Sequence, residues 1–307
     1  MTIQQSVNNL LYSQLDDWDL AKTNYNDLTG VLTREVMINE QTIKIQYNPN
    51  RIRSSAAKTD DVSISQRPCF LCGENRPPAQ TSVDFSDEYE ILVNPYPIFP
   101  KHLTIVNKQH IQQSLGGHFK TLLQLSKALD EFTVFYNGPQ CGASAPDHLH
   151  FQAGSHGVMP IEKELESIPI LPIPHFYNNE VYAMNDGYRK AIVLKGKEEN
   201  LLTDLFHSVW NFLIEKVSGK PEPMVNVLAR WQGSAWQIVI FLREKHRPRQ
   251  FYAKASQQIL LSPASVDFGG LLITPREADF YKLDAQTIRD IFQQVTISES
   301  KWMSIIN

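Results

Sequence analysis

The stretch Asp147-His148-Leu149-His150-Phe151-Gln152-Ala153 decides how this chain is read. On a β-strand alternate side chains share a face, so His148, His150 and Gln152 point one way and Leu149 and Phe151 the other. Two imidazoles and an amide on one wall form either a reactive surface or the solvent-facing side of an antiparallel strand. The loop that leads in, Asn137-Gly138-Pro139-Gln140-Cys141-Gly142-Ala143-Ser144-Ala145-Pro146, favours the first. Small residues let backbone N–H groups approach a phosphate, and Ser144 adds a hydroxyl donor.

Working outward, Val134–Asn137 reads as the strand before this loop, and Gln112–Phe132 as a helix whose apolar residues recur at three and four. Glu90–Asn94 and His102–Val106 read as strands around Pro95–Pro100. Arg34–Asn39 and Thr42–Tyr47 alternate as a hairpin, Val7–Thr23 has helical spacing, and Thr59–Gln66 reads as loop. The second half runs in the same order: Ala191–Leu194, a helix over Leu201–Ile214, then strands Met224–Trp231 and Trp236–Leu242. Thr104 to His150 and Ile192 to Ile238 are equally far apart, which points to duplication with Ile238 in the place of His150. Gly269–Thr274 reads as a final strand and Ala278–Val295 as a final helix.

The chain has 307 residues, 42% hydrophobic and 20% charged, an ordinary globular composition. Lys and Arg total 29 against 33 Asp and Glu, a net charge of -4 that argues against nucleic acid as a partner. No apolar run approaches the roughly 18–20 residues that span a bilayer. Met1–Leu20 lacks a basic start followed by an apolar stretch. A cytoplasmic protein without a membrane partner is expected. Three cysteines cannot form a disulfide framework, but Cys69-x-x-Cys72 has metal or redox spacing. Its place in a loop between Pro68 and Gly73 favours zinc over a redox pair, with plain buried thiols as the alternative. Cys141 reads as core.

The run Asn137–Gln152, with Gly142-Ala143-Ser144 ahead of the H-x-H-x-Q pattern, resembles the histidine-triad (HIT-like) superfamily. Within it, the chain resembles the transferase branch of galactose-1-phosphate uridylyltransferase, diadenosine tetraphosphate phosphorylase and GDP-L-galactose phosphorylase. Hydrolases of the superfamily carry His where this chain has Gln152. The resemblance implies an α+β fold of two HIT-like halves, with antiparallel sheets backed by helices. Residues 1–175 would carry the motif and a zinc knuckle, and residues 176–307 a degenerate copy without the histidines.

It further implies a nucleotidyltransferase or phosphorylase acting through a covalent nucleotidyl-histidine. His150 would attack the α-phosphorus, since a neutral imidazole is available near pH 7. Gln152 would donate to a non-bridging phosphoryl oxygen; unable to act as acid or base, it should leave the intermediate for an incoming phosphate. The expected substrates are a nucleoside-diphosphate sugar and phosphate. The alternatives are a dinucleoside polyphosphate, or a nucleotide-binding protein without turnover. The branch also implies that His110 and His148 complete a Cys2His2 site for a structural zinc, and that the protein is a homodimer.

Cleaving such a substrate requires cations at the phosphates. Asn48-Pro49-Asn50-Arg51-Ile52-Arg53 resembles the Arg-containing segment of the uridylyltransferase, which makes Arg51 and Arg53 phosphate candidates; Lys101 is a candidate for the β-phosphate. Asn94 takes the ribose position, with Tyr96 or Phe99 beside the base, and Asn137, Gly142 and Ser144 complete the substrate-binding set. The basic run Arg243–Arg249 reads as a solvated strand end or as a clamp on the second substrate's phosphate. Asp267-Phe268-Gly269 spells a kinase tripeptide without its companions, a coincidence.

Overall fold

The computed structural model describes residues 1–52, 60–176, 180–217 and 222–307. The expected hairpin forms from β1 (Leu32–Ile38) and β2 (Gln41–Tyr47), turning at Asn39 with φ of 57°. A ten-stranded antiparallel sheet follows among the described residues: β3 (Ser82–Asp84), β4 (Tyr89–Val93), β5 (His102–Asn107), β6 (Phe132–Asn137), β7 (His150–Ser155), β8 (Ile170–Pro172), β9 (Val181–Asn185), β10 (Lys190–Gly196), β11 (Val225–Gln232) and β12 (Ala235–Leu242). β13 (Leu271–Thr274) leaves this sheet and pairs in parallel with β2.

The large sheet has the order β3-β4-β5-β7-β6-β11-β12-β10-β9-β8. Read outward from the β6–β11 contact, where Asn137 lies opposite Asn226, both directions give the same succession of elements. The helices Phe119–Ala128 and Glu199–Val217 occupy matching places, and Phe119 stacks on Phe206 with ring centroids 3.8 Å apart. Ile238, however, does not stand where His150 stands. It packs under the helices with Leu149 and Phe151, whereas Val239 lies on the face that His150 shares. A one-residue shift turns every side chain to the opposite face, so the equal spacing matches in length and not in register.

One face of the sheet is covered by the helices Ile3–Asp17, Phe119–Ala128, Glu199–Val217 and Glu299–Ile306, through Leu10, Leu122, Phe206 and Trp302 among others. The other is covered over its second half by β1, β2, β13 and the C-terminal helices, through Ile43, Phe268 and Phe292. Several expected helices are shorter or broken. Val7–Thr23 divides at Trp18, which is extended and buried between two helices. Ala278–Val295 divides into Glu277–Lys282 and Ala285–Val295, where the Asp284 side chain caps the second by accepting from the Thr287 N–H. The described part of Thr59–Gln66 contains a short helix, Asp61–Ser65, capped by Asp60.

The expected helix over Gln112–Phe132 begins only at Phe119, after a turn that contains Gly116 and Gly117, and ends at Ala128, and Gln113 is used elsewhere. Its amide donates to the carbonyls of Asn137 and His150 and accepts from the His150 N–H, bridging β6 and β7 beyond their ladder. Strand β7 itself starts at His150, two residues later than the alternation predicts. His148 lies in the preceding bend, so it does not share one straight wall with His150 and Gln152.

Candidate active site

A cavity of about 650 Å³ opens on the sheet face opposite the helices. It brings together Arg51, Asn94, Asn137, Gly142, Ser144, His150 and Gln152, which are far apart in the chain. Lys101 is not in its lining. One place before His102 it emerges on the other side, where its Nζ bonds Glu131 at 2.6 Å and Asn8 at 3.0 Å, so the β-phosphate role is withdrawn. Arg53 lies outside the described residues. Tyr96 lines the cavity, but Phe99 is core. The Phe99 ring lies over Gly154, where a Cβ would come within 2.4 Å of it, and edge-on to His102.

His150 is buried, and its Nδ1 lies 2.8 Å from the His148 carbonyl oxygen. A carbonyl only accepts, so Nδ1 carries the proton and Nε2 of the neutral ring keeps its lone pair. Burial pushes the imidazolium down to about 4, outweighing that hydrogen bond, so the ring is neutral at pH 7. A base whose reactive nitrogen is unprotonated, beside a cavity, has the form of a nucleophile.

Gln152 is oriented by a residue the sequence did not single out. His102 Nδ1 accepts from the Ile98 N–H at 3.3 Å, and its Nε2 lies 3.0 Å from Gln152 Oε1. Burial pushes the His102 imidazolium down to about 3, with the Arg51 charge adding to the effect. A neutral ring accepting at Nδ1 must donate at Nε2, which fixes Oε1 as the acceptor of the Gln152 amide. The Gln152 NH2 is then the end available to another acceptor.

The loop before β7 is held from the second half. Asn137 Oδ1 accepts from Asn226 Nδ2 and from the Ser265 N–H and hydroxyl, at 2.7–2.8 Å. Gly142 has φ of 96°, and a Cβ there would meet that of Ala264 at 2.7 Å, so glycine is required on both counts. Asn94 donates to Thr104 Oγ1 at 3.0 Å, and Arg51 to the Tyr96 carbonyl at 2.8 Å. Burial pulls the Arg51 guanidinium down to about 10, partly offset by Asp267, so it remains a cation. Arg67, Asp267, His246 and Arg247 also line the cavity and were not expected as a set. Arg67 donates to the Ser144 carbonyl at 3.0 Å, pairs with Asp147 at 3.7 Å and stacks on Phe70.

Cys69, Cys72, His110 and His148 converge so that their ligand atoms lie within 4.8 Å of one another. The Cys69 Sγ–His148 Nδ1, Cys72 Sγ–His110 Nδ1 and Cys72 Sγ–His148 Nδ1 distances are 3.2, 3.2 and 3.6 Å. Bonds of about 2.3 Å to sulfur and 2.0–2.1 Å to nitrogen place tetrahedral ligands roughly 3.6 Å apart, so the donor set fits zinc. The orienting bonds are present too. His148 Nε2 faces the Asn107 carbonyl at 2.7 Å and His110 Nε2 faces Asp147 at 3.6 Å, leaving both Nδ1 atoms as ligands. The Cys72 thiol is pushed up to about 11 by burial and then by Cys69, so a divalent cation would offset the cost of a second thiolate. Among the described residues no helix is long and apolar enough to cross a membrane.

Residues 10–155 match a family described as a domain of unknown function (DUF4922), and residues 168–307 match one described as GDPGP1-like, C-terminal domain. The galactose-1-phosphate uridylyltransferase of Enterococcus faecalis is 24% identical over 274 residues, 76% of this chain and 54% of that protein. That of Bacillus subtilis is 24% identical over 242 residues, 66% of this chain and 44% of that protein. The chain thus spans about half the length of the curated relatives it matches. Yeast Ap4A phosphorylase in complex with AMP superposes with a TM-score of 0.64 at 16% identity, over 97% of this chain and 98% of that one. Its complex with Ap4A gives 0.63 at 17% identity, over 94% and 97%. The fold is that of the yeast Ap4A phosphorylase.

Proposed function

We propose that this protein is a nucleotidyltransferase that works as a phosphorylase, cutting a nucleoside-diphosphate sugar with inorganic phosphate through a nucleotidyl-His150 intermediate. The observation that carries this reading is the His150 ring: Nδ1 tied to the His148 carbonyl, Nε2 unprotonated, and the cavity beside it. Nε2 attacks the α-phosphorus, and the P–O bond to the leaving phosphate breaks with its electron pair. The imidazolium so formed keeps its Nδ1–H on the His148 carbonyl, which stabilises the charge. The NH2 of Gln152, its amide fixed by His102, donates to a non-bridging phosphoryl oxygen, and Arg51 offsets the phosphate charge. Asn137, Gly142 and Ser144 frame the phosphate, Asn94 serves the ribose, and the apolar stretch with Trp18, Leu71, Leu92 and Tyr96 takes the base.

A dinucleoside polyphosphate is the second reading, supported by the fold shared with yeast Ap4A phosphorylase. In either case Cys69, Cys72, His110 and His148 would hold a zinc ion that supplies rigidity to the bend before His150. Arg53 stays a phosphate candidate on its sequence context alone. We also propose that residues 1–175 and 176–307 are copies of one unit, supported by the mirrored strand order, and that the protein works in the cytoplasm, where free thiols persist.

The test is intact-mass spectrometry after incubation with a panel of nucleoside-diphosphate sugars and dinucleoside polyphosphates. A gain of one mononucleotide, absent in His150→Ala, is expected. Nucleotide binding with no mass gain and no exchange into labelled phosphate would show a binding protein instead.

A further inference from the structure

The basic run after β12 is folded into the site by a buried guanidinium. Arg243, fully buried, donates to the carbonyls of Val295, Pro263, Lys245 and His246 and to Asn226 Oδ1. All of these acceptors are neutral oxygens, so the arginine adds positive potential where the run turns. The turn brings His246 and Arg247 into the lining of the cavity that His150 shares. The Arg247 guanidinium lies 4.1 Å over the Phe251 ring, and its Nε donates to Ser262 Oγ at 3.2 Å, which fixes the plane of the fork. Ser262 is two residues before Ala264, the residue in contact with Gly142 of the phosphate loop.

Charge in the cavity is unequal. Among the described residues Arg51, Arg67 and Arg247 line it with one carboxylate, Asp267. Asp267 is engaged by the Ala264 and Ile273 N–H groups, at 2.9 and 3.3 Å, and is therefore committed to its own loop. Arg67 is paired with Asp147. The α-phosphate is addressed from the first half, by His150, Gln152 and Ser144. In an in-line displacement the other reacting oxygen approaches from the far side of phosphorus, and the charge it brings needs its own donors. The second half supplies cationic and polar side chains to that same cavity.

We propose that Arg247, with His246 and the Ser262 that orients it, is the subsite for the phosphate that leaves and enters. It holds the phosphate end of the departing sugar phosphate or nucleotide in one direction and inorganic phosphate in the other. The subsite rests on the nucleotidyl-transfer reading above. In the discharge step an oxygen of hydrogen phosphate forms a bond to the α-phosphorus. The P–Nε2 bond breaks, its electron pair returns to Nε2, and the products are a nucleoside diphosphate and neutral His150. A second half without the H-x-H-x-Q motif is retained, on this view, because it carries the acceptor wall.

The experiment separates the two half-reactions. Wild-type protein is loaded with whichever donor of the panel labels it, freed of donor, and discharged with inorganic phosphate at graded concentrations while intact mass is followed. Arg247→Ala should raise the phosphate concentration for half-maximal discharge at least about tenfold, the loss of one charged hydrogen bond. Arg247→Lys should recover part of this. Ser262→Ala, which leaves the arginine in place, should raise the requirement by a smaller factor and carries the test if Arg247→Ala does not fold. An unchanged phosphate requirement in the folded variants overturns the subsite while leaving the nucleotidyl reading standing. A wild-type chain that takes no label from any donor overturns both.

Discussion

Replacing His102 by Asn separates two jobs that one ring does. The Asn Oδ1 sits where Nδ1 sat and can still accept from the Ile98 N–H, but nothing reaches the Gln152 oxygen 3.0 Å beyond Nε2. The Gln152 amide then loses the donor that sets its orientation and can turn its oxygen toward the phosphoryl group. A hydrogen bond to a charged acceptor is worth about 1.5–3 kcal/mol, so the rate of nucleotidylation should fall roughly 10- to 150-fold. Stability should change by no more than about 1 kcal/mol, since the backbone bond is kept. His102→Gln does the reverse: it can restore a donor near the ε position and gives up the Ile98 acceptor, so it should be the less stable and the more active of the two. Single-turnover labelling followed by intact mass, with guanidinium unfolding alongside, measures both quantities. A double-mutant cycle with Gln152→Ala decides the matter. If His102→Asn costs the same factor whether or not Gln152 is present, or leaves the wild-type rate intact, the orienting role is refuted.

Further outcomes follow from the same geometry. Purified protein should carry one zinc per chain by elemental analysis, and Cys72→Ser should lose it and unfold at lower temperature. Stability should fall as pH drops below the ordinary imidazole value near 6.5, because His102 and His150 are neutral in the fold, at about 3 and 4, and gain protons only on unfolding. With the unfolded state binding more protons, two such groups remove about 3 kcal/mol between pH 7.5 and 5.5, and denaturant titrations at three pH values would read it. Gly154→Ala places a Cβ 2.4 Å from the Phe99 ring and should cost about 1–3 kcal/mol, seen as a lower denaturant midpoint with an unchanged slope.

Much of the site could be read from the chain because its signals are local. The H-x-H-x-Q pattern, the glycine-containing loop before it and the Cys-x-x-Cys spacing each lie within a few residues, and of the eight substrate-binding and catalytic candidates among the described residues the structure gathers all but Lys101 in one cavity, with Arg51 among them. Lys101 failed on parity: it is one place from His102, and neighbours on a strand face opposite ways. His102 was overlooked for a related reason, since its bond to Gln152 follows only once Thr104 is known to lie opposite Gln152 across β5 and β7.

The sequence by itself determined the strand that carries His150 and Gln152, the Cys and His residue types of the cluster and the succession of strands and helices, because short-range spacing and periodicity are properties of the chain before it folds. Tertiary structure alone decided which residues meet. It put Ile238 out of step with His150, bent the chain so that the His148 ring joins Cys69, Cys72 and His110 while its carbonyl orients His150, and carried Arg247 from the far half into the cavity. Those outcomes depend on strand register and on buried hydrogen bonds between residues tens to hundreds of positions apart, and no local pattern encodes them.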